Sequence, residues 1–124
     1  MAIWNDEYQI TTRANATCDT GVTTVDSFGD TEGRAVEWRY TVDKGSGTNM
    51  RTGVIRAVWD TVAHNPPVSS SVPVMTPDEY SDSIGTVAIT FSVDKSGNSV
   101  RLRATVASDG WRVDVIRMFI GATS

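Results

Sequence analysis

The run Thr86-Val-Ala-Ile-Thr-Phe-Ser-Val93, the turn Asp94-Lys-Ser-Gly-Asn98 and the run Ser99-Val-Arg-Leu-Arg-Ala-Thr-Val-Ala107 decide the fold. Apolar side chains alternate at Val87, Ile89, Phe91 and Val93, and again at Val100, Leu102, Ala104 and Val106. A period of two is the mark of strands with one buried face. Ser108-Asp109-Gly110 then leads into a third strand, Trp111-Arg-Val-Asp-Val-Ile-Arg-Met-Phe-Ile120.

Upstream the same signal recurs. Gly21 to Phe28 is rich in Val and Thr and predicts a strand. Gly29 to Gly33 reads as a turn. From Arg34 to Asp43, Val36, Trp38, Tyr40 and Val42 alternate with Glu37, Arg39 and Thr41. Lys44-Gly-Ser-Gly-Thr48 suits a hairpin loop, and Met50 to Trp59 is the returning strand. That strand carries Val54 and Val58 on one face and Ile55, Ala57 and Trp59 on the other. Apolar residues on both faces indicate a central strand or one whose outer face meets a partner. Pro66-Pro67 interrupts regular structure. Val68 to Met75 suits a short extended segment, and Thr76-Pro77-Asp78-Glu79 suits at most one helical turn. The expectation is an all-β protein of about six to eight strands, an antiparallel β-sandwich or a jelly-roll-like barrel. Residues 1–20 read as an N-terminal arm or edge strand, and 21–124 as the sandwich domain.

Composition bounds the function. The 124 residues suffice for one domain with a real core. A formal net charge of −4 leaves no basic stripe of the kind that nucleic-acid affinity requires. The single cysteine, Cys18, excludes an internal disulfide framework. No apolar run approaches the length of a membrane-spanning helix, and the first residues lack the pattern of a secretion signal.

Catalytic constellations are not legible. His64 is the sole histidine, so a His/Cys zinc site cannot be built within one chain. No nucleophile motif accompanies it. Asp78, Glu79 and Asp82, with Asp60, could supply oxygens to calcium but match no calcium-loop spacing. A solvated acidic loop explains them better. The expectation is therefore no catalytic residue, no metal and no cofactor. Trp59 and Trp111 lie where strands meet loops and are the candidates to contact a ligand such as a sugar ring. His64 joins them from the proline loop. Trp4 and Tyr8, on the arm, and Arg101 and Arg103, opposite the apolar face of their strand, are the candidate interface residues. For Arg101 and Arg103 a solvated face with cross-strand ion pairs is the competing reading.

Together, Thr24-Val-Asp-Ser-Phe28, Arg34 to Val42, Arg51 to Asp60 and Phe91 to Val106 resemble a β-domain common in tailed-bacteriophage virion proteins. The resemblance spans about residues 22–120. Its most specific part is the hairpin Ser96-Gly97-Asn98-Ser99-Val100-Arg101-Leu102, where one Ser is inserted between Asn and Val. The chain also departs at Asp60 to Pro67, longer and proline-bearing where the family has a short turn. The resemblance implies a virion location, after synthesis in the host cytoplasm, and structural or attachment roles rather than catalysis. Standing alone, the domain is expected to be a capsid decoration or cement protein, or a small head or tail appendage. Its partners would be the major capsid protein or other virion proteins, and copies of itself, for which a trimer is the suggested state. The alternative is a tail-fibre tip that binds a host receptor or glycan.

Overall fold

The computed structural model describes residues 11–45, 49–61, 67–69 and 82–121. Within them the chain forms nine strands: β1 (Thr11–Cys18), β2 (Gly21–Gly29), β3 (Ala35–Asp43), β4 (Met50–Val58), β5 (Val68–Ser69), β6 (Asp82–Ile84), β7 (Ile89–Ser96), β8 (Ser99–Val106) and β9 (Trp111–Ile120). Five make the path β1-β9-β3-β4-β5 of a six-stranded sheet, and β6 also pairs with β4. The order β2-β8-β7 makes a three-stranded sheet. All pairings are antiparallel. The two sheets pack face to face as a β-sandwich, the fold class that the alternation implies.

The core lies between the sheets. Val36, Trp38, Tyr40 and Val42 of β3 and Val113 and Val115 of β9 meet Phe91 of β7 and Val100, Leu102 and Ala104 of β8. The alternation becomes packing directly: β8 is buried at every even residue from Val100 to Val106.

The last three strands do not form one sheet. β7 and β8 are a hairpin whose two-residue turn, Gly97-Asn98, needs the positive φ of Gly97 (59°). After Val106 the chain crosses to the other sheet, and Trp111 pairs with Cys18. This crossing lies beside the one from β1 to β2, and each holds the other. Asp19 accepts the Gly110 N–H (3.0 Å), and Asp109 accepts the N–H and hydroxyl of Thr20 (2.8 Å each). Those two bonds from Thr20 hold the Asp109 carboxyl below its ordinary pKa. The hairpin is also longer than its polar turn suggests, because Asp94 and Lys95 pair with Arg101 and Val100. Conversely β7 starts at Ile89, and the Thr86 amide donates to the Asn49 side chain (3.0 Å).

One irregularity sets the geometry between the sheets. β2 carries a bulge between Thr24 and Asp26. It puts Val25 and Asp26 in succession on the buried side. The Asp26 carboxylate accepts a hydrogen bond from Trp38 Nε1 (2.9 Å) and lies 3.3 Å from Arg117 Nε of β9. The Arg117 contact is an ion pair not aligned as a hydrogen bond. The guanidinium is held over the rings of Phe28 and Phe119, 5.2 Å from each centroid. Removing one member of a buried pair strands the other charge, at a cost of about 3–5 kcal/mol. Asp26→Ala should therefore lower the unfolding free energy by about that amount. Asp26→Leu combined with Arg117→Met should cost less than either single change, as read by urea denaturation.

Candidate functional site

Both outer faces of the sandwich are candidates, and they differ in kind. The face of the small sheet carries Thr24 and Ser27 of β2, Thr90 and Ser92 of β7, and Arg101, Arg103 and Thr105 of β8. Arg101 grips Asp94 with two hydrogen bonds of 2.7 Å, and Arg103 lies 3.6 Å from the same carboxylate. The Arg101 hydrogen bond is the main reason that Asp94 sits below its ordinary pKa, and Asp94 in turn raises that of Arg101. Arg101 and Arg103 are thus brought together, as the two arms of one half-buried carboxylate clamp on a hydroxyl-rich face.

The outer face of the large sheet combines charge with apolar bulk. Ile116, Ile120 and Val58 are exposed on it. Ala35 pairs with both Val58 and Ile120, which gathers these side chains at one end. Thr11, the first residue of β1, pairs with Met118, so the chain enters the sheet at that same end. Further along, Arg13, Ile116, Arg39 and Val54 form one cross-strand row, and Asn15, Asp114, Thr41 and Thr52 the next. A groove of about 400 Å3 runs over these rows. Sequence reasoning did not single out Arg13, Arg39 or Ile116. The available signal was the apolar residues on both faces of β4.

Trp111 was expected at the surface but is buried, 3% exposed. Its ring is covered by the Lys44 ammonium at 4.7 Å and its Nε1 donates to Ser108 (3.1 Å), so no flat side is left for a sugar. The cause is register: β9 begins inward at Trp111, where it closes the core beneath the β3–β4 loop. Trp59 is half-buried against Phe28, with centroids 5.0 Å apart, and donates to the Asp30 carbonyl (2.8 Å). One edge of it lines a cleft of about 410 Å3 with Asp30, Arg34 and Asp60. Trp4, Tyr8, His64, Asp78 and Glu79 lie outside the described residues. Among the described residues, no three His, Cys, Asp or Glu side chains gather as metal ligands, and no helix is long and apolar enough to cross a membrane. Cys18 is fully buried, and burial is the main cause that raises its thiol pKa.

The fold and faces define an all-β sandwich. No protein-family profile and no curated protein matches the chain. Among solved structures it is similar to the tailspike protein of Acinetobacter baumannii phage AM24, at 7% identity and a TM-score of 0.42. The likeness covers 87% of this chain and 25% of that one, so the chain spans about a quarter of the tailspike's length.

The Asp94 clamp has a pH signature. A carboxyl whose folded pKa is lowered stabilises the fold above its ordinary value of 3.8, and that contribution is lost as pH falls through the lowered value. Asp94→Asn should therefore leave a smaller loss of stability below pH ~4 than the parent protein shows. Urea midpoints measured across the acid range would display the difference.

Proposed function

We propose that the protein is a subunit of a phage virion surface, most simply a capsid decoration or cement protein or a small head or tail appendage. It works by protein contacts rather than by chemistry. Its partners are the major capsid protein or other virion proteins, and copies of itself. The observation that carries this reading is the asymmetry of the two faces. The small sheet turns mainly hydroxyls, one ion-pair clamp and the single apolar Val22 to solvent, whereas the large sheet gathers Val58, Ile120 and Met118 at one end. Clustered apolar side chains on an otherwise charged surface mark a contact. The resemblance of the Ser96–Leu102 hairpin to virion β-domains supports the same reading.

Residues 1–10 lead into β1 at that apolar end, which suits an arm acting together with the patch. Repetition on a symmetric particle would turn modest affinity at each site into lasting attachment.

Mass spectrometry of purified particles tests this reading by copy number. Hundreds per virion would mean a capsid position, and small multiples of three or six a tail or neck position. Val58→Asp with Ile120→Asp should fold normally yet reduce incorporation by about tenfold or more. Undiminished incorporation would overturn the patch as the contact.

A further inference from the structure

The groove on the large sheet lies away from the apolar end and has a different chemistry. Arg13 and Arg39 flank Ile116 in a single cross-strand row. Neighbouring strands stand about 4.8 Å apart, so the two arginine stems rise roughly 10 Å apart and their forks can reach one ligand from both sides. Asn15 and Thr41 stand in the adjoining row, and Arg112 closes one end. Three arginines, Arg13, Arg39 and Arg112, face one carboxylate, Asp114, in the groove lining. With Glu37 beside Arg39 counted as well, the arginines still exceed the carboxylates by one, on a chain of net −4.

These charges are available to a ligand. Arg13 makes no ion pair with a described residue. Arg39 and Arg112 are paired only with Glu37 and Asp114, each two residues along its own strand, and their side chains are 69% and 64% exposed. The guanidinium ends of both pairs remain in water, where such pairs are weak and the free N–H groups stay open to an incoming anion.

The remaining features narrow the ligand. Charge lies at the centre of the groove, where a dry protein interface would be depleted of it. The aromatic side chains of β3 and β9, Trp38, Tyr40, Trp111 and Phe119, all pack inward, so among the described residues of this groove a neutral sugar finds no ring to stack on. The same lack disfavours single-stranded nucleic acid, as does the net charge. Guanidinium forks suit a carboxylate. The Asn15 amide and Thr41 hydroxyl suit sugar hydroxyls, and Ile116 offers an apolar floor for the C–H face of a ring.

We infer that this groove binds a carboxylate-bearing saccharide, with one ring over Ile116 and its acid held between Arg13 and Arg39. The inference goes beyond assembly and does not rest on it, because it concerns the purified protein alone.

The test is calorimetric titration of the purified full chain at low salt. The probes are oligogalacturonate, a neutral galactan oligomer, dextran sulfate and an oligothymidylate, and a glycan array extends the acidic set. Carboxylated saccharides should bind, more weakly as salt is added, and the neutral oligomer should not. Arg13→Ala and Arg39→Ala should each weaken binding by about tenfold or more. Arg101→Ala, on the opposite face, should leave it unchanged. The inference is overturned if no carboxylated saccharide binds more tightly than ~1 mM. It is equally overturned if binding survives loss of both Arg13 and Arg39, or if dextran sulfate or the oligothymidylate binds more tightly than every carboxylated saccharide.

Discussion

A charged carboxylate inside the sandwich constrains much of the packing around it. Asp26 belongs to the small sheet, yet both groups that satisfy it, Trp38 and Arg117, belong to the large one. A buried charge tolerates little displacement, because losing its partners costs far more than shifting an apolar contact. The bulge at Val25 exists in the chain where Asp26 must turn inward. Arg117, drawn in by Asp26, requires aromatic faces around its guanidinium, and Phe28 and Phe119 provide them. Phe119 in turn crowds position 33. A Cβ there would lie 2.7 Å from its ring, so the β2–β3 connection passes this point as glycine. Trp59 completes the group by packing on Phe28 and capping the Asp30 carbonyl. Lys95 reaches Asp30 from the small sheet at 3.1 Å, a second buried pair beside the first.

The strands were legible because their period is local. Arg34 to Asp43 and Ser99 to Ala107 alternate without interruption, and in the structure nearly every apolar residue of those runs is buried. What escaped sequence reasoning depends on partners far along the chain. Asp94 and Lys95 read as turn residues because they are polar, yet one is stabilised by Arg101 and the other by Asp30. Trp111 resembled a strand-end surface residue, and only the pairing of β9 with Cys18 and the arrival of Lys44 show that it is enclosed. The bulge in Thr24-Val-Asp-Ser-Phe28 has no local cue, since its cause is an arginine about ninety residues away. Arg13 and Arg39 become neighbours only when β9 lies between β1 and β3.

The two outer faces show how one scaffold separates tasks. On the small sheet, hydroxyl side chains suit the pleat and meet water, and the arginines are occupied by Asp94. On the outer face of the large sheet Arg39 and Arg112 are exposed and tied to a carboxylate along their own strand. The same residue type is therefore held by its neighbours in one place and outward-directed in the other.

The pairing of β1 with β9 carries a consequence for how the protein comes into being. A ribosome releases Thr11–Cys18 early, but the strand that pairs with it, Trp111–Ile120, emerges only after the other described strands. Until then this edge waits with its amides and carbonyls unmatched, and β3, which borders β9 on the other side, waits too. The β7–β8 hairpin closes over short range, whereas the large sheet closes only once β9 has emerged. During that interval an unpaired β1 is open to strands from other nascent chains. For the side of β1 that faces β9, the hazard of mispairing is therefore concentrated in translation and ends when β9 arrives.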